Sequence, residues 1–265
     1  MSKQVVKMKE NGAMILPEGA DNDAALGGTL SAADISLPFL RIMQGLSPQV
    51  DPDHAGYIKG VVPGDIVLTV HNKTWEGRNE GVEIVFCHFS RVFVEWRPTE
   101  AGGGIVNTYG PDNPIINSGT RTDKGKIILP TGNELIETAY HAVLVKTDAG
   151  WTEAVMPLKS TMLKVSRAQN TVLDGLRALN SKKEKVQAPR WSVRYKMTTV
   201  KEQKADKSWS VPSFTPLGWV DDPLYERAKD WAVTAGKSAN FALSEAAQAP
   251  ADKPRSRALE EGVEF

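Results

Sequence analysis

The sequence predicts a mainly β, α+β fold: an OB-fold-like antiparallel barrel of about five strands, with one helix inserted and flexible termini. Three observations carry this. Apolar runs with strand character recur at 82–96, 136–157 and 190–214. Helical spacing of apolar residues is confined to about 160–179 and 222–235. The order is strands, helix, strands, helix, which does not fit the strict βα alternation of a doubly wound sheet. A β-sandwich with peripheral helices is the competing architecture.

Along the chain, residues 1–35 are rich in Gly, Ala, Asn and Asp and read as a flexible segment. Order is expected to begin near Ser36–Met43, where apolar residues cluster. Ile66, Val67, Leu68 and Val70 have strand character and lead into a polar turn, 72–77, that contains Trp75. Two β-rich runs follow, Val82–Phe89 and Arg91–Trp96. Residues 98–135 read as loop, with Tyr109 inside it. Ile136–Lys146 and Trp151–Pro157 flank a Thr-Asp-Ala-Gly turn and predict a hairpin. A helix is expected over Ser160–Leu179, with Val165, Val172, Leu176 and Leu179 as its apolar stripe. Arg190–Lys201 reads as a long strand paired with Ser208–Phe214, and Asp222–Ala235 as a last helix. Residues 36–235 therefore form the expected domain, and 236–265 a flexible linker and tail.

The formal net charge is zero, but it is unevenly spread. Residues 1–35 carry −2, the last eight residues −3, and 36–257 the balancing +5. Between 159 and 201, eleven Lys or Arg face only Asp174 and Glu184. Such asymmetry suggests an anionic partner for the core. No apolar run reaches the roughly 20 residues of a membrane span, and the N-terminal region does not have the build of a signal peptide. An intracellular protein is expected.

Catalytic signatures are sparse. The four histidines form no HxH or HxxxH pair, and no Walker loop or nucleophile elbow occurs. Asp51/Asp53 and Asp221/Asp222 suit turns and helix starts better than a metal. The single cysteine, Cys87, lies in an apolar run and reads as a packed hydrophobe. No enzyme, metal or cofactor is expected.

A binding surface reads more clearly. In the strand at 190–197, Arg190, Arg194 and Lys196 alternate with apolar residues. In 89–97, Phe89, Arg91, Phe93 and Arg97 share a face. Rings interleaved with cations suit a single nucleic-acid strand, whose bases stack while its phosphates follow the charges. Lys159, Lys164 and Arg167 extend the basic region, and Trp75 and Tyr109 are candidate stacking rings in loops. The alternative for each residue is ordinary core or solvated surface.

The sequence ends Leu-Glu260-Glu261-Gly-Val-Glu264-Phe265 after an Ala/Pro-rich stretch. Such an end, together with LPFLRIMQGLSPQ (37–49), CHFSRVFVEW (87–96) and MPLKSTMLKVSR (156–167), resembles phage-encoded single-stranded DNA-binding proteins with acidic tails ending in Phe. The resemblance covers about 36–235 and the tail. It implies an OB-like core, DNA replication or recombination in a bacterial host's cytoplasm, and a tail through which Glu260, Glu261, Glu264 and Phe265 contact replication or recombination proteins. This tail carries fewer acids than the strongest family tails. Homo-oligomerisation stays open. A virion or scaffold protein with protein partners only, and a metal-dependent nuclease with scattered acids, are the alternatives.

Overall fold

A computed structural model describes residues 35–122, 126–237 and 241–248. The chain divides into Met1–Ser36 and Leu37–Phe265, and the second unit is described here. Its elements in chain order are β1 (Leu40–Ile42), β2 (Ile66–Leu68), β3 (Lys73–Trp75), β4 (Val82–Trp96), β5 (Ile105–Tyr109), the short α1 (Ile115–Ser118), β6 (Thr120–Arg121), β7 (Ile127–Ile128), β8 (Glu134–Thr147) and β9 (Gly150–Lys159). There follow α2 (Leu163–Asp174), β10 (Arg177–Leu179), β11 (Lys185–Gln187), β12 (Val193–Lys204), β13 (Lys207–Trp219), α3 (Asp222–Lys237) and α4 (Phe241–Ala247).

The mixed α+β class holds, and the closed barrel is corrected. The main antiparallel sheet runs β13-β12-β4-β8-β7-β6, with β5 also on β4 and β9 also on β8, and its ends do not meet. It is an open, curled sheet. A separate sheet, β1-β2-β3, is joined to it along both edges. Phe39 bridges Val155 of β9 in parallel. On the other side, the Gln44 carboxamide donates to Ser210 O of β13 (2.9 Å) and accepts from Ser210 N (3.0 Å), standing in for one residue of a strand.

Two apolar layers follow from the pleat. Leu40, Ile42, Ile66 and Leu68 of the small sheet meet Ile84, Phe86, Val143, Met156, Tyr195 and Met197 of the large one. On the opposite face, α3 lays Leu224, Ala228, Trp231, Ala232 and Ala235 against Val85, Cys87, Val94, Ala142 and Leu144. Each large side chain so buried contributes about 1.5–3 kcal/mol relative to exposure. Cys87 is fully enclosed and burial pushes its thiol well above the ordinary range, so it packs as a hydrophobe.

The two runs expected at 82–89 and 91–96 are one strand with a change of face inside it. Phe86 pairs with Val143 but His88 pairs with Ala142, leaving Cys87 as an extra residue. Because side chains alternate with period two, one extra residue inverts the faces. Val82, Ile84 and Phe86 point to the small-sheet side before the bulge, whereas Val92, Val94 and Trp96 point to the helix side after it. Phe89 is thereby delivered to the same side as Phe86.

Other elements also differ from expectation. The stretch 98–135 holds β5, α1, β6 and β7. The helix expected over 160–179 begins with a 3₁₀ turn, Ser160–Met162, and ends at Asp174. Its buried face is Ser166, Gln169 and Leu173, while Val172 and Leu179 are exposed. Ser166 faces inward because a buried polar partner awaits it: Ser166 Oγ lies 2.8 Å from His141 Nε2. Arg190–Ser192 is a 3₁₀ turn, so Arg190 does not share the β12 face with Arg194 and Lys196. Within the stretch expected as linker, α4 buries Phe241, Ala242 and Glu245. Glu245 accepts from the Tyr140 hydroxyl (2.6 Å) and from Lys159 Nζ (3.0 Å), with Arg41 Nη2 at 3.5 Å. No helix among the described residues is long and apolar enough to cross a membrane.

Candidate nucleic-acid interface

The predicted site residues separate by what their side chains already hold. Lys159 pairs with Glu245, Lys164 with Glu202 (2.7 Å), Arg167 with Glu137 (3.2 Å) and Arg194 with Glu83 (3.3 Å). The Lys164 ammonium holds the Glu202 carboxyl below its usual range. Arg91 on β4 and Arg97 just after it are exposed and Lys196 is half-buried; none of the three has an ion pair among the described residues.

The aromatic candidates also divide. Trp75 belongs to β3 rather than to a loop, and packs against the core beneath the small sheet. Phe93 is buried with Ile127, Leu129 and Leu135. Tyr109, likewise in a strand, pairs across from Phe93 and donates its hydroxyl to Glu95 Oε2 at 2.5 Å. That hydrogen bond to a carboxylate raises the phenol above its ordinary range. Glu95 is itself buried and also accepts from Asn133 Nδ2 (2.5 Å), so this cluster is a satisfied structural network.

Phe89 has a different setting. Together with Leu173 and Pro189 it lines a groove of about 620 Å³ that also receives Asn170, Gln187 and Arg190. The Arg190 guanidinium stands 5.7 Å from the Phe89 ring centroid, and its Nη2 donates to Asn170 Oδ1 at 2.7 Å. Arg190 makes no ion pair among the described residues. Burial lowers its pKa, and its charge adds to burial in lowering those of His88 and His141. A half-buried guanidinium held by a neutral amide retains the capacity to meet an anion. Sequence reasoning named Phe89 and Arg190 but put them on separate strands; the bulge at Cys87 and the turn at 190–192 bring them together.

Beside the groove stands the β10–β11 hairpin, paired only with itself and exposed at nearly every residue. Its turn is set by Asn180, whose Oδ1 accepts from Lys182 N (2.9 Å) and Glu184 N (3.0 Å). Arg177 Nη1 donates to Asp174 O (2.7 Å) and Leu176 O (2.9 Å) at the end of α2. Lys182, Lys183 and Lys185 have no ion pair among the described residues, and Glu184 bonds instead to Asn180 Nδ2. Gln187 Nε2 reaches Asp174 Oδ1 (3.1 Å), fastening the hairpin's base to the groove wall. The sequence signal for this hairpin is the Asn-Ser-Lys-Lys-Glu turn at 180–184; the helix expected to run to Leu179 covered its first strand, β10.

The acid pairs have local structural tasks. Asp51 Oδ1 accepts from Asp53 N (3.1 Å), and Asp221 Oδ1 accepts from Leu224 N (3.0 Å) at the start of α3. Among the described residues no group of three His, Cys, Asp or Glu is placed to hold a metal. Glu260, Glu261, Glu264 and Phe265 lie outside the described residues.

No curated protein and no solved structure matches this chain. A family model described as Pam3 phage gp34-like protein matches residues 8–239, a span that includes the groove, the hairpin and both sheets. The chain therefore belongs to the Pam3 phage gp34-like proteins.

Proposed function

We propose that this phage protein binds single-stranded DNA without regard to sequence, seating a base against Phe89 and its phosphates along Arg190 and the β10–β11 hairpin. The observation that carries the reading is the Phe89–Arg190 pair in an open groove, flanked by three lysines that no acid pairs with among the described residues. A ring beside a guanidinium that meets only a neutral amide offers stacking and charge in one place, and stacking is sequence-tolerant because every base has a π-face. The resemblance in 37–49, 87–96 and 156–167 supports a role in replication or recombination in the host cytoplasm, and the family match supports only that the protein is a phage one. In the same reading the acidic tail, with Glu260, Glu261, Glu264 and Phe265, recruits partner proteins.

The test is a gel-shift titration of the full chain with oligo-dT and with duplex of equal length at low salt. The expected result is tighter binding to the single strand, weakening with salt by a slope of roughly −0.7 per phosphate neutralised. Equal affinity for both, or none for either, overturns the reading.

A further inference from the structure

A small cleft lies on the outer face of the three-stranded sheet. Antiparallel pairing sets Arg41 of β1 opposite Val67 of β2, and both line the cleft. Gln49 of the β1–β2 connection, Val70 and Asn72 of the β2–β3 turn, and Gln248 just after α4 complete its polar and apolar lining. Its volume is about 320 Å³, near the lower end of ligand sites, roughly 300–1,000 Å³. Arg41 is the one charged residue among the described residues that line it.

The Arg41 guanidinium is held in place but not satisfied. It stands 5.5 Å from the Phe39 ring centroid. Its Nε and Nη2 are buried and make no hydrogen bond among the described residues. Nη2 lies 3.5 Å from Glu245 Oε1, the oxygen that Lys159 Nζ already meets at 3.0 Å. The other Glu245 oxygen takes the Tyr140 hydroxyl. One carboxylate therefore serves two cations, Arg41 and Lys159, and the cluster keeps a surplus positive charge. A buried donor without a partner in its own chain is rare, and a bound ion or water is the ordinary explanation.

The backbone is strained where it borders the cleft. His71 N donates to Thr69 O at 2.7 Å, closing a three-residue turn over Val70, which takes φ +68°. A γ-turn of this hand is rare, and a β-branched residue at its centre is a conformational outlier. Such strain persists where the surroundings fix it and gathers at ligand sites. Here Thr69 is pinned on both sides: its Oγ1 accepts from Phe39 N (2.8 Å) and donates to Gln248 Oε1 (2.8 Å). The turn leaves the Val70 and Asn72 amides without a backbone partner among the described residues.

We infer that this cleft seats a phosphate group, with the Arg41 guanidinium as its counter-charge and the Gln49 and Asn72 carboxamides as neutral donors. A lining with one cation and no acid selects an anion. The guanidinium fork matches phosphate oxygens, and carboxamide N–H groups supply further hydrogen bonds without adding charge. Donors brought by β1, the β1–β2 connection and the β2–β3 turn suit a tetrahedral oxyanion better than a planar carboxylate. The seat does not depend on the single-strand reading above. A free phosphate monoester and the phosphodiester of a bound strand present the same oxygens to it.

The experiment is a calorimetric titration of the full chain with inorganic phosphate, and separately with acetate, in chloride buffer at constant ionic strength. Arg41→Gln and Asn72→Gly are run in parallel, and circular dichroism checks that each variant folds. Asn72 is exposed at φ +48°, which glycine adopts freely, so Asn72→Gly carries the test if Arg41→Gln does not fold. The expected result is saturable one-site binding of phosphate by wild type, weakened roughly tenfold in Arg41→Gln and about threefold in Asn72→Gly. No saturable binding by wild type, or equal affinity in wild type and the folded variants, overturns the seat. Acetate bound as tightly as phosphate overturns its assignment to phosphate. Repeating the titration with oligo-dT in excess separates the two sources. Phosphate binding lost to oligo-dT assigns the seat to the strand, and phosphate binding that persists assigns it to a free monoester.

Discussion

The chain has two basic regions of similar composition and different electrostatic condition. Lys159, Lys164, Arg167 and Arg194, on the sheet and α2, each sit against a carboxylate supplied by a distant part of the chain. Among the described residues, Arg190 and the lysines of β10–β11 are left without one. The sequence places all of them in a single cationic stretch, and only the fold separates charges already neutralised from charges still available. Counting Lys and Arg measures potential for an anion; pairing decides how much of it survives folding. An exposed pair adds only about 0–1 kcal/mol to stability, so Lys164 and Arg167 gain little from their pairing but lose much of their attraction for phosphate.

The largest effect that sharpens this contrast is on salt dependence. Replacing Lys182, Lys183 and Lys185 together with Gln removes about three cations from the phosphate path. The slope of log affinity against log salt is expected to shrink by about 2, at roughly 0.7 per contact. Binding measured at four or five salt concentrations checks it, and an unchanged slope breaks the assignment of the hairpin to DNA. The fold is expected to tolerate this triple change, because all three side chains are exposed.

A smaller effect reports on the charge of Arg190 from inside the protein. His141 is buried against Ser166, and burial first, then the charge of Arg190, lowers its pKa from 6.5 to about 3. Between those values the unfolded chain binds the proton that the folded one refuses. Stability therefore falls as pH drops through that window, by at most about 1.4 kcal/mol per pH unit. Urea midpoints at pH 7, 5.5 and 4.5 measure this, and His141→Gln is expected to flatten the decline. An equally steep decline in that variant shows that other groups govern the acid response.

Much of the fold was legible in periodicity. The hairpin β8–β9, the pair β12–β13 and the helix α3 come out close to their expected positions, because each is a sustained pattern with recognisable turn or cap residues. The open sheet was not legible. Closure depends on which edges meet, and here a three-stranded sheet and the Gln44 carboxamide occupy the gap, neither of which is a local pattern. The bulge at Cys87 was hidden for a related reason: apolar residues occupy both faces of β4, so a change of parity leaves no break in hydrophobicity. α4 is short and Ala-rich, and its order comes from Phe241 and Glu245 meeting Tyr140 rather than from propensity. The site was half legible. Phe89 and Arg190 stood out as a ring and a cation, but their proximity comes from the bulge and the 3₁₀ turn. The acids that neutralise Lys164 and Arg167 lie 38 and 30 positions away and leave no local trace.

The central claim is that unpaired charge, not charge alone, marks the interface, and one side-by-side measurement addresses it. Arg190→Gln and Arg167→Gln each remove one guanidinium from the same basic stretch, one without an acid partner and one held by Glu137. With anisotropy of labelled oligo-dT at one low salt concentration, Arg190→Gln is expected to weaken binding by roughly tenfold or more, matching the loss of a charge-assisted contact of about 1.5–3 kcal/mol. Arg167→Gln is expected to stay within about twofold of wild type, in keeping with an exposed pair worth under about 1 kcal/mol. Equal losses in the two variants, or a larger loss in Arg167→Gln, would contradict the account.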